Sequence, residues 1–325
     1  MLQQRVITAF ILAFLVIVAV FQLPQDYFAL IFGLIILTAA WEWSDLVGIN
    51  EHSKKYLFLL GLILPMLWLH FWTQFLEGLE FGIETAQQDL YQHAKKVGWT
   101  NISTFMETLD IPDVRVYSGA LEWLVVPAVI FWVLVTALIK HSPTGVLKLE
   151  LKLRHKLLLG WFILLAAWMF LVRLRTLYGA EMTMYFLLLI WVADISAFFV
   201  GKKFGSTKLA PEISPGKTKA GFYGALFSAA ICGAILCFMY GFPLINATDM
   251  VLLSVLTVLI SIYGDLFFSV FKRQKGVKES GSILPGHGGI LDRMDSMIAA
   301  IPFFYAGIYL FNRVVEYAQG AGATE

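Results

Sequence analysis

Hydrophobic residues run through this chain in long blocks, not at the three-and-four spacing of a surface helix or the alternation of a half-buried strand. Nine blocks reach or approach the roughly 20 residues that a helix needs to cross a bilayer. They lie at about 6–22, 27–47, 56–76, 119–139, 157–173, 183–200, 221–243, 249–271 and 296–312. The expected fold is an all-α polytopic membrane protein with about nine transmembrane helices. The first block is longer than the roughly 7–15 residue core of a secretory signal, and no small-x-small cleavage site follows, so it is expected to stay as the first span. No internal repeat is visible, which weighs against transporter folds made of repeated halves.

Charge then orients the spans. With the N-terminus cytoplasmic, 18 of the 24 Lys and Arg fall in inside segments and 6 outside. This positive-inside bias predicts a cytoplasmic N-terminus and an external C-terminus. Residues 1–156 are expected to form N-terminal membrane helices with an external loop at 77–118 holding short helices, and 157–325 a C-terminal catalytic membrane domain. VLKLELKLR, residues 146–154, alternates apolar and charged positions and is expected to form a short strand or an interfacial segment. Composition agrees: 59% of residues are hydrophobic and 14% charged, against roughly 45–50% and about 25% in soluble domains. A net charge of +1 gives no electrostatic case for nucleic acid. Cys232 and Cys237 sit within an apolar run and read as packing residues.

Polar residues collect in two segments on the predicted cytoplasmic side, 201–220 (GKKFGSTKLAPEISPGKTKA) and 272–295 (KRQKGVKESGSILPGHGGILDRMD). Each follows a span carrying an acid, Asp194 or Asp265, six residues from its end. That is a depth of roughly 9 Å. A charged carboxylate there costs at least about 2–3 kcal/mol and normally faces a partner or a wet cavity. Two at matching depth suggest one shared pocket open to the cytoplasm; the plainer reading is that each pairs with a lysine and locks helices together. Asp292 and Asp295, three apart, share a helix face, and with Asp265 they offer oxygen ligands suited to Mg2+. Gly286, Gly288 and Gly289 can present backbone N–H groups to an anion, and His287 can bind phosphate or shift protons. Lys202, Lys203, Lys217, Lys272, Arg273, Lys278 and Arg293 add positive charge. Such a set fits phosphates presented with Mg2+, and hence phosphoryl or nucleotidyl transfer. No Walker A pattern occurs. At headgroup depth, one substrate could be a soluble nucleotide and the other a lipid phosphate. The residues alone leave attack at the α- or γ-phosphorus open.

The stretch SVFKRQKGVKESGSILPGHGGILDRMDS, 269–296, resembles the signature of the CDP-diacylglycerol synthases (phosphatidate cytidylyltransferases). Ser269, Lys272, Arg273, Lys278, Gly281, Pro285, Gly286, His287, Gly288, Gly289, Asp292, Arg293 and Asp295 match it in spacing. DISAFFVGKKFGSTKLAPEISPGKT, 194–218, and Gly264-Asp265-Leu266 are similar to two further family blocks, so the resemblance covers about 190–312. It implies a multi-pass protein of the bacterial inner membrane, its active site facing the cytoplasm. The implied reaction uses more than one Mg2+ ion. Phosphatidate attacks the α-phosphorus of CTP, giving CDP-diacylglycerol and pyrophosphate for phospholipid biosynthesis. Carried onto this chain, Asp265 and Asp292 are the implied metal ligands. Asp295, His287, Arg293, Lys272, Arg273 and Lys278 complete the implied catalytic set. Asp194, Ser196, Lys202, Lys203, Lys217, Ser269, Gly286, Gly288 and Gly289 are the implied substrate contacts. The expected partners are CTP, phosphatidate and membrane lipids, with a homodimer open and no nucleic acid. The alternatives are a CTP-dependent lipid kinase and a non-catalytic lipid-binding or transport paralogue. Three positions depart from the family pattern: Glu279 stands where Asp is usual, Ala220 where an acidic or amide residue is usual, and Phe268 where Glu is frequent.

Overall fold

A computed structural model describes residues 2–99, 119–241, 244–283 and 288–321. The described residues are mostly helical: α1 (Leu2–Gln22), α2 (Gln25–Leu46), α3 (His52–Val97), α4 (Val125–His141), α5 (Pro143–Lys148), α6 (Leu153–Phe204), α7 (Lys219–Tyr240), α8 (Leu244–Gln274) and α9 (Leu291–Ala321). Seven helices among the described residues are long and apolar enough to cross a membrane. One of them, α6, covers both the fifth and sixth apolar blocks. The protein is thus a polytopic, helical membrane protein.

The 52 residues of α6 would span about 78 Å if straight, more than twice the hydrocarbon core. They do not run straight. Gly179, at φ 81° and ψ 177°, is non-helical, a conformation that glycine adopts without a Cβ penalty. The contacts on either side show that the chain turns back there. Near the start of α6, the Lys156 carbonyl accepts from Trp43 Nε1 at 3.1 Å, and Trp43 packs on Phe271 of α8 at 4.8 Å between rings. Near its end, a Cβ on Gly201 would touch Thr218 Oγ1, and the neighbouring Lys217 pairs with Asp265 of α8. Both ends of α6 therefore lie at the same end of the bundle.

The protein divides into two compact units, residues 1–62 with 125–325, and residues 63–124. In the larger unit, the second limb of α6, α7 and α8 share a core of Leu189, Ala193, Ala225, Ala229, Val258 and Ile262. The buried face of α7 is a four-residue repeat of small side chains, Gly221, Ala225, Ala229, Gly233 and Cys237. Small residues let helix backbones approach closely in lipid, where van der Waals packing drives association. The rest of α7 exposes Tyr223, Phe227, Ile231, Ile235 and Phe238, as expected of a lipid-facing surface.

Local structure adds to or departs from the sequence reading at three places. Within the polar segment 201–220, β1 (Lys208–Ala210) and β2 (Ser214–Thr218) pair antiparallel, Lys208 opposite Thr218 and Ala210 opposite Ser214. Thr218 then caps α7, its hydroxyl accepting from Gly221 N at 3.1 Å. Of the two forms expected for residues 146–154, a strand or an interfacial segment, the strand is not formed. α5 ends at Lys148, α6 starts at Leu153, and the Gln274 amide holds the carbonyls of Leu147 and Leu149 at 3.1 and 3.0 Å. In the smaller unit, α3 does not stop near residue 76 but continues to Val97. Residues 77–97 lose apolarity while keeping good helix formers such as Glu, Ala, Gln, Leu and Lys. Residues 100–118 of the expected external loop lie outside the described residues.

Candidate active site

The polar residues meet where the last turns of α8 approach the first turns of α9. Close approach is possible because position 264 has no side chain: a Cβ there would run into Ala299 Cβ and come within 3.2 Å of the Asp295 carbonyl. Asp265, the next residue, is thereby brought to the start of α9.

Two lysine–carboxylate groups occupy this corner. Lys217, delivered by β2, pairs with Asp265 at 2.7 Å and also donates to the Ile262 carbonyl at 3.2 Å. Ser269, one turn on from Asp265, donates to the same carboxylate at 3.3 Å. Lys272, buried, bridges Asp292 at 2.9 Å and Asp295 at 3.4 Å. Asp295 is buried too, and its second oxygen accepts from Ser296 N at 2.9 Å. The two groups share one field: Asp265 interacts electrostatically with Lys272 and Asp295. Asp194 on α6 interacts with Lys217 and Asp265. Asp194, expected at the depth of Asp265, thus lies near enough to share the field of Lys217 and Asp265.

Asp292 also organises the loop before α9. Its Oδ2 accepts from Ser280 N at 2.8 Å and Gly289 N at 3.0 Å, tying the two ends of that loop together. Gly288 lies between them with φ 81°, and a Cβ there would be 3.0 Å from Asp292 Oδ2 and 3.4 Å from Glu279 Cδ. The departure at 279 therefore lies beside the loop that Asp292 holds. Leu284 to His287, including Gly286 and His287, are outside the described residues.

The remaining cations divide. Arg273 is used by backbone: its Nε donates to the Ile213 carbonyl at 3.0 Å and its Nη1 to the Val277 carbonyl at 3.2 Å, so it braces the hairpin and the end of α8. Lys202 and Lys203 are exposed and lie over the rings of Phe198 and Phe204, at 5.9 and 5.2 Å. Lys278 and Arg293 are exposed at the rim of the loop. Ser196, two residues from Asp194 and so on another face of α6, is half-buried. Among the described residues no three His, Cys, Asp or Glu side chains converge as a ready metal cluster.

One acid escaped sequence reasoning. Glu42, near the end of α2, is 2% exposed. Its carboxylate accepts from Ser280 Oγ at 3.1 Å, Ile290 N at 3.0 Å and Leu291 N at 2.8 Å. The available signal was an ionisable residue inside an apolar block, three residues before a second acid, Asp45, near its end. Nothing in the local sequence shows that its partners lie 238 to 249 residues away.

A profile of the cytidylyltransferase family matches residues 3–311. The chain belongs to this family. Among its cytidylyltransferase relatives, the phosphatidate cytidylyltransferase of Haemophilus influenzae is 32% identical over 316 residues, covering 94% of this chain and 97% of that one. The phosphatidate cytidylyltransferase of Pseudomonas aeruginosa is 34% identical over 307 residues, covering 94% and 96%. That of Bacillus subtilis is 42% identical over 138 residues, 42% of this chain and 50% of its own. Membership in the family makes the chain a nucleotidyltransferase, with the carboxylates and lysines at the α8–α9 corner as its candidate machinery.

Proposed function

We propose that this protein is a phosphatidate cytidylyltransferase, transferring CMP from CTP to phosphatidate to give CDP-diacylglycerol and pyrophosphate. The observation that carries the reading is the Asp292–Lys272–Asp295 group beside Asp265–Lys217, at the level where two membrane helices end. A phosphate oxygen of phosphatidate forms a bond to the α-phosphorus of CTP. The bond from that phosphorus to the bridging oxygen breaks, and pyrophosphate leaves with the electron pair.

Phosphoryl and nucleotidyl transfers are catalysed mainly by positioning and charge neutralisation, and the residues here suit both. Lys217 and Lys272 are held within reach of several carboxylates, so incoming phosphate oxygens compete for the lysines and free the acids. Lys202, Lys203, Lys278 and Arg293 attract the triphosphate and the anionic headgroup from the rim. Mg2+ takes oxygen ligands, commonly one or two carboxylates plus substrate phosphates, so a converging three-acid cluster is not required. Asp265 and Asp292, with Asp295 behind them, fit that donor set; bound there, the metal would neutralise the charge of the leaving pyrophosphate. The distribution of Lys and Arg supports nine crossings, with the N-terminus cytoplasmic and the pocket facing the cytoplasm of a bacterial inner membrane.

Purified protein in nanodiscs, given phosphatidate, CTP and Mg2+, is expected to release pyrophosphate and form a CMP-bearing lipid. Asp292→Ala is expected to lower the rate of forming both products by about 100- to 1000-fold. Formation of CDP and a phosphorylated lipid would mark a lipid kinase, and no turnover with intact binding a non-catalytic paralogue.

A further inference from the structure

The geometry points to Glu42 as a positioning residue for the transfer reaction, acting through Asp292; this inference rests on the active-site reading above. Two carboxylates grip the same loop. Asp292 Oδ2 takes the amides of Ser280 and Gly289, and Glu42 takes the Ser280 hydroxyl and the amides of Ile290 and Leu291. Both ends of the loop are therefore fixed twice, once by the candidate ligand and once by a residue from the other end of the sequence. Asp292 in turn owes the direction of its Oδ2 to where those amides stand.

Packing makes this grip specific. A Cβ on Gly281 or Gly289 would collide with the Glu42 carboxylate, so Glu42 accounts for the absence of side chains at these two positions. Glu42 itself has little freedom to follow a displaced loop. Its neighbour Trp43 donates to the Lys156 carbonyl at 3.1 Å and packs on Phe271. Three residues on, the Asp45 carbonyl accepts from Lys275 at 2.7 Å, and the Asp45 carboxylate pairs with Lys55. The last turn of α2 is thus anchored to the start of α6, the end of α8 and the start of α3.

A glutamine at 42 keeps the shape but not the chemistry. Its NH2 would face donors that need an acceptor, and a buried N–H left without one is costly. Ile290 and Leu291 supply N–H groups at the start of α9, where no helical carbonyl precedes them. The loop must then shift, and the amides orienting Asp292 shift with it. Partners that orient metal-binding side chains commonly change activity about 10- to 100-fold when removed.

The test uses the full-length protein in nanodiscs, comparing wild type, Glu42→Gln, Ser280→Ala and Asp292→Ala. For Glu42→Gln, kcat is expected to fall about 10- to 100-fold, with KM for CTP and phosphatidate nearly unchanged. Amide hydrogen exchange is expected to quicken at Ile290 and Leu291 while α8 keeps wild-type protection. Ser280→Ala, which removes one of the three donors, is expected to show the same split with a smaller fall. It carries the test if Glu42→Gln does not fold. A wild-type kcat in both variants, a KM increase in place of the kcat loss, or wild-type exchange at Ile290 and Leu291 in an impaired Glu42→Gln overturns the proposal. A fully active Asp292→Ala would instead overturn the active-site reading itself.

Discussion

The two ends of the α8–α9 pair are built alike in backbone and oppositely in side chains. At one end Gly264 lets α8 meet Ala299 of α9; at the other, Gly307 of α9 receives the side chain of Leu253. Around Gly264 stand Asp265, Ser269, Lys272, Asp292 and Asp295, whose carboxylates all have polar partners. Around Gly307 an open, mainly apolar cavity of about 370 Å³ is lined by Leu253, Leu256, Phe303, Ala306 and Leu310 with Val129 of α4, and Asn246 and Asp249 are the polar residues in its lining. Close helix approach alone therefore specifies neither a packed core nor a site. Short acids and long lysines fill the polar corner because each satisfies another, whereas branched and aromatic side chains at the other end leave a gap.

This contrast can be broken most severely at the polar corner. Asp265→Ala and Asp292→Ala are each expected to lower kcat by about 100- to 1000-fold, the scale for removing preorganised charge at a transition state. Pyrophosphate release is the measurement, with size-exclusion profiles to show that the bundle persists. Lys272→Met should be nearly as damaging to rate and more damaging to the fold, because it leaves Asp292 and Asp295 side by side. Breaking a buried pair costs about 3–5 kcal/mol, which a thermal-unfolding series in detergent would detect.

Gly264→Val tests close approach rather than charge. Its added methyls would force α8 and α9 apart, an overpacking cost of about 1–3 kcal/mol, and the spreading Asp265–Asp292 distance should reduce kcat as well. The smallest effect is expected at the opposite end. Ala306→Leu places apolar volume in the cavity and should shift stability by less than about 1.5 kcal/mol with kcat unchanged. A large loss of activity there would mean that the two ends are coupled.

Much of this organisation was legible in the chain because hydrophobicity reports the surrounding solvent. Among the described residues the nine apolar blocks fall on helices, the fifth and sixth both on α6. What apolarity does not report is where a helix stops. Residues 77–97 remain helical after their apolarity fades, and residues 174–182 continue α6 through a linker broken only at Gly179. Spacing and depth were enough to group Asp194, Asp265, Asp292 and Asp295, since these are properties of single helices. Pairings between distant segments were not readable. Arg273 resembles the neighbouring Lys272 in sequence, yet it is taken up by the Ile213 and Val277 carbonyls. Glu42 looks like one more acid of α2, beside Asp26 and Asp45, until its partners Ser280, Ile290 and Leu291 are brought to it.

Following two phosphorus labels through one turnover tests the central claim most directly. Protein in nanodiscs is supplied with phosphatidate, Mg2+ and CTP labelled in separate runs at the α- or the γ-phosphorus. Attack at the α-phosphorus predicts that the α-label enters the lipid and the γ-label leaves as pyrophosphate, with both transfers slowed about 100- to 1000-fold in Asp292→Ala. A γ-label in the lipid, or an α-label that stays on a soluble nucleotide, would contradict the assignment.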